Sequence, residues 1–334
     1  MYIIFFIKDI LMKKRKIGNL EVSTLGLGCM GYGVSYDENY NKKELIYTIH
    51  QALDFGINFF DTAEAYGPYI NEEIVGEALK NKNAIIATKF GIKHENGKPI
   101  LNSKPKVIKE SLNGSLKRLG VECIDLYYLH RVDTNTPIED VANTMKELIK
   151  EGKIKYWGLS EAGVNTIIKA DSICKVTAIQ SEYSMIYREA EKEIMPLLKK
   201  LNIGFVAFSP LGKGFLSGAL DENRILNNND FRKSIPRFNK ENIIKNKEIL
   251  NILKDIANNK KATMAQIALS WILHKENFIV PIFVASKIDR LKENILSVDI
   301  KLSEEELNLL EKSMQNIIIY GDRYPKEHLD IVNK

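Results

Sequence analysis

Short apolar runs alternate along the chain with longer segments in which apolar residues recur at helical spacing. Residues 57–60 form such a run, which ends on Asp61, and residues 42–55 before it carry apolar side chains on one helical face. The helical segment stops before Gly56, as helices commonly do. A short, wholly apolar run is typical of a parallel strand that helices cover on both faces. The pattern therefore predicts an α/β protein.

Strands that each lead into a helix are predicted near residues 25, 58, 86, 126, 156, 178, 206 and 281. Eight such units in a chain of 334 residues favour a closed (β/α)8 barrel over an open doubly wound sheet. A Gly-Asn turn at Gly18 indicates a short hairpin before the first unit. We therefore predict a single (β/α)8 TIM barrel over residues 13–334, with an N-terminal hairpin and long loops at its mouth.

The first residues differ from the rest of the chain. The apolar run over residues 1–7 has no basic stretch before it and no small-residue cleavage site after it, and it is too short to span a bilayer. We therefore predict that residues 1–12 form an extension outside the barrel core and that the protein is cytoplasmic.

The composition describes an ordinary globular protein and narrows the class of partner. Hydrophobic residues make up 45% of the chain and charged residues 27%. The net charge of +5 suits a small anionic ligand but is too small and too dispersed for nucleic acid. The basic run over residues 13–16 is expected to be solvated surface. The three cysteines and five histidines are scattered, without the spacing of a metal site or a disulfide framework.

Polar residues stand at the ends of successive predicted strands, where the active site of a barrel lies. Asp61, Lys89 and His130 end three neighbouring strands, and Tyr66 lies on the loop after the first. Taken singly, the carboxylate could cap a helix, the ammonium could pair with a surface acid and the imidazole could be a buried rim residue. Their recurrence at equivalent strand ends favours a functional set instead. The next three strands end on Ser160, Gln180 and Ser209.

Asp61, Tyr66, Lys89 and His130 together could protonate a carbonyl oxygen. A tyrosine titrates near 10, and a neighbouring ammonium can lower that pKa by about 1–3 units. We expect Lys89 to supply this charge, Asp61 to hold Lys89 in place, and His130 to hydrogen-bond the substrate oxygen or relay the proton. None of the four is a reductant, so a hydride would have to come from a cofactor.

Six stretches of the sequence carry a resemblance to a known family. Two of them are Phe60-Asp-Thr-Ala-Glu-Ala-Tyr-Gly67 and Asp125-Leu-Tyr-Tyr-Leu-His130, and the others are residues 25–31, 87–89, 115–120 and 205–212. Over about residues 13–325 the chain resembles an aldo-keto reductase. The resemblance maps that family's catalytic tetrad onto Asp61, Tyr66, Lys89 and His130. It implies NADPH-dependent reduction of an aldehyde or ketone to an alcohol, with Tyr66 as the general acid.

The resemblance also implies a set of cofactor-binding residues. Ser160 and Gln180 correspond to residues that hold the nicotinamide carboxamide, and Phe208 corresponds to an aromatic residue that stacks on the ring. The loop over residues 209–213 corresponds to one that lies along the pyrophosphate. The complete set is Gly28, Met30, Ser160, Gln180, Phe208, Ser209, Leu211, Gly212, Lys213, Ser286, Lys287, Arg290, Glu293 and Asn294.

A basic segment after the last strand bears on the choice of nicotinamide cofactor. Ser286, Lys287 and Arg290 correspond to residues that clasp the adenosine 2′-phosphate, and Glu293 with Asn294 to adenine contacts. An ammonium and a guanidinium can both pair with phosphate oxygens, which favours NADP over NAD. A solvated basic helix terminus is the alternative interpretation.

Two positions depart from the family pattern. Glu161 replaces an asparagine that often follows the serine, although a carboxylate can still accept a hydrogen bond from an amide. Residues 283–286 read Phe-Val-Ala-Ser where relatives often have Pro-Gly, so the local turn is an open question.

The loops that would select a substrate are expected to be the insertion over residues 210–240, Tyr32, the surroundings of Trp157 and the tail over residues 320–325. A small-molecule carbonyl compound is the expected partner, and neither nucleic acid nor a membrane is expected. The motifs encode neither the individual substrate nor the oligomeric state.

Two other functions stay open at this point. A lysine at a barrel strand end can form a Schiff base, which would make Lys89 the nucleophile of an aldolase or isomerase. Members of the same family also serve as non-enzymatic, NADP-binding regulatory subunits of membrane channels.

Overall fold

The strands of this protein form a closed parallel barrel with an antiparallel hairpin at one end. A computed structural model describes residues 12–31, 41–95, 98–223 and 230–332. The hairpin consists of β1 (Lys14–Ile17) and β2 (Leu20–Ser23). The first three barrel strands are β3 (Gly26–Gly28), β4 (Phe59–Asp61) and β5 (Ile85–Phe90). A second hairpin, β6 (Ile92–Glu95) and β7 (Lys98–Leu101), follows directly.

The remaining barrel strands close the ring. They are β8 (Ile124–Leu129), β9 (Ile154–Ser160), β10 (Ala178–Glu182), β11 (Gly204–Phe208) and β12 (Ile279–Phe283). Each barrel strand pairs in parallel with the next, and β12 pairs with β3. The predicted α/β class and (β/α)8 barrel are confirmed, and all eight predicted strands are present.

Helices cover the outside of the barrel. In chain order they are α1 (Lys42–Asp54), α2 (Ile70–Leu79), α3 (Pro105–Leu119), α4 (Ile138–Lys150), α5 (Val164–Ile173), α6 (Ile194–Leu201), α7 (Lys240–Lys245), α8 (Lys247–Lys260), α9 (Met264–Lys275), α10 (Ile288–Ile295), α11 (Glu304–Asn316) and α12 (Lys326–Leu329). The sequence Ser-Glu-Glu-Glu at Ser303 forms a capping box at the start of α11: the Ser303 side chain accepts from the Glu306 N–H, and the Glu306 side chain accepts from the Ser303 N–H. No helix in the described ranges is long and apolar enough to cross a membrane.

The N-terminal hairpin fills one end of the barrel interior. Ile17, Leu20 and Val22 are buried in one apolar cluster with inward-facing barrel residues such as Val206 and Val280. A larger apolar cluster lies between the strands and the helices. Because the hairpin closes one end of the barrel, ligands can approach only the opposite end, where the strands finish.

The structure differs from the sequence prediction in two connecting regions. The β6–β7 hairpin was not predicted, although Asn96-Gly97 is a strong turn signal between two short apolar-containing segments. The helical spacing of apolar residues continues over residues 243–258, but the helix is divided at Asn246 into α7 and α8. The Asn246 side chain exchanges two hydrogen bonds with the backbone of Tyr320, at 3.0 and 2.8 Å. The break thus anchors the C-terminal tail.

Three segments with a predicted role lie wholly or partly outside the described residues. They are residues 1–11, Tyr32 and the central part of the 210–240 insertion, residues 224–229. Met12, assigned to the extension, is partly buried against the main core, where an added Cβ on Gly56 would come 2.8 Å from its own Cβ.

We predict that Gly204→Ala destabilises the fold, because its Cβ would lie 2.3 Å from the Cα of Ile17 in the hairpin. The hairpin and β11 would have to move apart to avoid this overlap, and this displacement should lower the free energy of unfolding by about 1–3 kcal/mol. Gly28→Ala is the matched control, since its Cβ would meet Val284 at an ordinary 3.4 Å, and we expect a change below about 1 kcal/mol. Urea unfolding of both variants tests the prediction, and equal stabilities would contradict it.

Candidate active site

Side-chain alternation along the strands produces a polar layer above an apolar one. Residues two apart on a strand face the same side. Phe59 and Ala87 belong to the apolar interior of the barrel, so Asp61 and Lys89 also point inward, one layer closer to the mouth. Asp61 pairs in register with Ala87 across β4 and β5. The strand pattern therefore brings the carboxylate and the ammonium together inside the barrel.

Lys89 is fully buried, and its ammonium is surrounded by oxygen acceptors. It donates to Asp61 Oδ1, to the Thr62 carbonyl oxygen at 2.8 Å and to the Tyr66 hydroxyl at 3.2 Å. The second oxygen of Asp61 accepts from Gln180 Nε2 at 2.7 Å. A buried ion pair is tolerated only when such further hydrogen bonds compensate for lost hydration. Asp61 thus holds Lys89 as expected, and Gln180 holds Asp61.

The ion pair affects the titration of its neighbours. Burial alone would lower the pKa of Lys89, but Asp61 and Tyr66 outweigh it and the net shift is upward. Tyr66 is half-buried as a residue, but its hydroxyl contacts the buried ammonium of Lys89, and burial raises its pKa despite the opposing charge of Lys89. We expected the ammonium to lower the pKa of Tyr66, and this expectation is wrong: the net shift is upward, because desolvation of the phenol exceeds the attraction of the ammonium.

His130 follows β8 directly and completes the group. Its ring meets the Tyr66 ring edge-to-face, with centroids 5.7 Å apart. Burial lowers its pKa well below the ordinary histidine value, and the charges of Arg131 and Lys89 lower it further. The imidazole is therefore neutral at physiological pH. Its buried Nδ1 has no hydrogen-bond partner among the residues that the structure describes.

The residues expected at the nicotinamide lie around the same mouth. Gly28 ends β3 opposite Asp61 in register, and the half-buried Met30 follows two residues later. Ser160 ends β9 and is buried, and its hydroxyl accepts from Arg131 at 3.2 Å. Phe208 ends β11 with its ring half-buried. Together with Gln180, these side chains form the upper edge of the barrel beside the buried ion pair.

The loop after β11 has an unusual backbone. Ser209, Gly212, Lys213 and Gly214 all have positive φ angles. Glycine adopts this conformation without strain at Gly212, where an added Cβ would also come within 2.6 Å of the end of the Ile186 side chain and displace it. Leu211 lies within this turn. The structure places the Lys213 ammonium 2.9 Å from both carboxylate oxygens of Glu182, so the cation expected near a pyrophosphate is already ion-paired.

The segment expected at the adenosine phosphate lies at the exposed start of α10. Ser286 and Lys287 are exposed, and Lys287 occupies the N-cap position. Arg290 is exposed and lies 3.4 Å from Glu293, whereas Asn294 is buried. Residues 283–287 contain no left-handed backbone conformation, so this turn forms without the Pro-Gly pair that relatives often have.

Comparison with known proteins agrees with this geometry. The model of the Aldo/keto reductase family matches residues 24–315. The chain belongs to the aldo/keto reductase family. The resemblance that the sequence motifs carried is thereby confirmed, and membership supports an oxidoreductase that acts on small-molecule carbonyl compounds with a nicotinamide cofactor.

Solved structures of other aldo/keto reductases are similar over almost the whole chain. A glycerol dehydrogenase from Gluconobacter oxydans is 27% identical, with 93% of this chain and 98% of that one covered and a TM-score of 0.84. An aldo-keto reductase from Bacillus halodurans, in its holo form, is 28% identical over 95% and 99% of the two chains, with a TM-score of 0.73. A thermostable aldo-keto reductase in complex with the inhibitor epalrestat is 27% identical over 91% and 100%, also with a TM-score of 0.73.

This aldo/keto reductase also carries a buried charge cluster, made of Glu161, Glu182, Lys213 and Arg323, that the sequence did not predict. Arg323 donates to Glu161 and, at 3.2 Å, to Glu182. The other oxygen of Glu161 accepts from the Glu182 N–H at 2.9 Å. Both carboxylate oxygens of Glu161 are therefore used within the protein, and this residue ties the C-terminal tail to the barrel.

The tail and the insertion pack on each other beside the cluster. The rings of Phe231 and His328 stack with centroids 5.7 Å apart, and Tyr324 contacts both at 6.2 Å. Arg237 donates to the Gly321 carbonyl oxygen at 3.2 Å. The tail was predicted to shape the substrate pocket, but no local sequence signal identified Arg323, which lies 162 residues from Glu161 and beyond the family match.

We predict that Arg323→Met lowers the free energy of unfolding by about 3 kcal/mol, because it leaves buried Glu161 without its cation. Combining it with Glu161→Gln should cost less than Arg323→Met alone, since the uncompensated charge is then removed. Lys199→Met, which breaks an exposed ion pair with Glu276, should cost less than about 1 kcal/mol. Chemical denaturation measures all three, and equal costs for the arginine and lysine variants would refute the role of the cluster.

Proposed function

We propose that this aldo/keto reductase reduces an aldehyde or ketone to an alcohol with NADPH and that Tyr66 donates the proton. The observation that carries this proposal is the contact between the Tyr66 hydroxyl and the buried ammonium of Lys89, 3.2 Å apart. NADPH, when bound, supplies the hydride.

Tyr66 suits the role of a general acid because it stays protonated at neutral pH. Burial raises its pKa, so the proton is present when the substrate arrives. Once the proton has moved to the substrate oxygen, the phenolate left behind faces the ammonium of Lys89. Asp61 keeps that ammonium in position and charged, since its attraction contributes to the raised pKa of Lys89.

His130 suits the role of a neutral hydrogen-bond donor. Burial, Arg131 and Lys89 keep its pKa well below the ordinary value, so the ring carries a single N–H at neutral pH. With its ring against Tyr66, it would direct that N–H at the same carbonyl oxygen. Two donors at one oxygen would stabilise the charge that develops there during reduction.

The described residues fit a nicotinamide dinucleotide at this mouth. Ser160, Gln180 and Phe208 would hold the nicotinamide, and the loop over residues 209–213 would lie along the pyrophosphate. Lys287 is exposed and forms no ion pair with any carboxylate of the described residues, so its charge is available for a 2′-phosphate. This free cation beside Arg290 supports NADPH over NADH.

The same geometry disfavours a Schiff-base mechanism. A nucleophilic lysine must lose its proton, whereas Asp61 and Tyr66 raise the pKa of Lys89 above its ordinary value. Its ammonium also donates to three protein oxygens.

We predict that Tyr66→Phe lowers kcat at least about 100-fold, the usual contribution of a general acid, while the Kd for NADPH stays unchanged. Tyr69→Phe is the matched control, because that exposed tyrosine contacts Arg118 through its ring and should retain full activity. Turnover is followed by NADPH absorbance and binding by fluorescence. If Tyr66→Phe retained more than a tenth of the activity, Tyr66 would not be the proton donor.

NADPH binding by the wild-type protein without turnover of any aldehyde or ketone would favour a regulatory subunit.

We predict that the double variant Lys287→Ala, Arg290→Ala loses about 10- to 100-fold of its preference for NADPH over NADH, the range that charged hydrogen bonds contribute. The control is Lys292→Ala, which removes a positive charge from the last turn of the same helix. The ratio of kcat/KM values for the two cofactors is the measurement. An unchanged ratio in the double variant would mean that the basic segment does not select the cofactor.

A further inference from the structure

The proposed reduction assigns one cation at the mouth no contact with substrate or cofactor. Arg131 follows His130 directly and is half-buried. Its Nη1 donates to the His130 carbonyl oxygen at 2.7 Å and to Ser160 Oγ at 3.2 Å. Within the part of the chain that the structure describes, these are its side-chain hydrogen bonds, and no carboxylate forms an ion pair with it.

The lack of a carboxylate partner distinguishes Arg131 from Arg323 and Arg232, two other arginines near the mouth. Arg323 is paired with two glutamates, and Arg232 is paired with Asp230. A guanidinium presents five N–H donors in a planar fork and stays charged at any physiological pH. Both contacts of Arg131 use one nitrogen, so the rest of the fork is available to bind oxygen atoms from outside the protein.

The position of Arg131 relative to the reacting groups is fixed by its neighbours. It is bonded in sequence to His130, whose ring contacts Tyr66, and it donates to Ser160 on the adjacent strand. Its charge also opposes the rise that burial causes in the pKa of Tyr66 and of Tyr324 on the tail. The guanidinium therefore lies at the ends of β8 and β9, beside His130 and Ser160.

We propose that Arg131 binds an anionic oxygen group of the substrate, a carboxylate or a phosphate, close to the carbonyl group that Tyr66 protonates. The inference rests on the proposed reduction and narrows its substrate class to carbonyl compounds that carry such an anion. Arg131 is thus a specificity-determining residue, and the net positive charge of the chain is consistent with anionic substrates.

Paired substrates test this proposal. The ortho-, meta- and para-carboxybenzaldehydes are compared with their methyl esters, which keep the aldehyde but lack the charge. In the wild-type enzyme, kcat/KM for at least one acid should exceed that for its ester by about 10-fold or more, as charged hydrogen bonds imply. In Arg131→Gln this ratio should fall to about one through a higher KM for the acid, with the ester rate and the Kd for NADPH within about threefold of wild type.

Two further variants serve as controls. Arg131→Lys, which keeps the charge but loses the fork, should retain part of the preference. Lys155→Gln removes one positive charge near the opposite end of the barrel, where Lys155 pairs with Asp125, and should leave the ratio unchanged. The proposal is overturned if no acid is preferred to its ester, if the preference survives in Arg131→Gln, or if that variant loses acid, ester and NADPH binding together.

Direct binding separates this proposal from the proposed function. Calorimetric titration of the NADP-loaded protein with benzoate and with phenyl phosphate needs no turnover, and the stronger ligand identifies the anion. Binding that weakens at least about 10-fold in Arg131→Gln supports the site, even if no aldehyde is reduced and the proposed reaction fails. Absence of binding by both probes, or equal binding to wild type and variant, refutes it. If Arg131→Gln does not fold, Arg131→Met, which also removes the charge, takes its place in both experiments.

Discussion

The buried ion pair between Asp61 and Lys89 is the interaction on which the arrangement of the mouth depends. Both charges are almost completely removed from water, which costs several kcal/mol per ion unless other groups compensate. Compensation comes from Gln180, from the Thr62 carbonyl oxygen and from the Tyr66 hydroxyl. Three strands and one loop must therefore be in register for the pair to be stable, and that register also places Tyr66 beside His130.

The fold and the side chains around the pair could be predicted from the sequence for a physical reason. Parallel strands buried on both faces are largely apolar, so they are visible as short runs between helical segments. Their carboxyl ends all meet at one mouth, and therefore Asp61, Lys89 and His130 were expected together before any distance was known. Their side chains do come together in the structure, whereas their roles in catalysis stay predictions.

Side-chain partners that are remote in sequence could not be predicted in this way. Arg15 belongs to a basic run expected to be solvated, yet its half-buried guanidinium donates to the carbonyl oxygens of Leu273, Glu276 and Ile279. Arg323 likewise reaches Glu161 across the mouth. Such contacts depend on where loops and tails end in space, which local periodicity does not encode. The sequence identified the tail but not the residues that attach it to the barrel.

The pKa of Tyr66 shows how burial and charge oppose each other at one atom. Proximity to an ammonium led us to expect a lower pKa, but the burial that makes the Asp61–Lys89 pair possible also disfavours a phenolate, and the net shift is upward. In the proposed reaction, Lys89 therefore does not prepare an acidic phenol before the substrate binds. Its contribution would come as negative charge forms on Tyr66 during proton transfer, when a fixed cation in a poorly hydrated site is most effective.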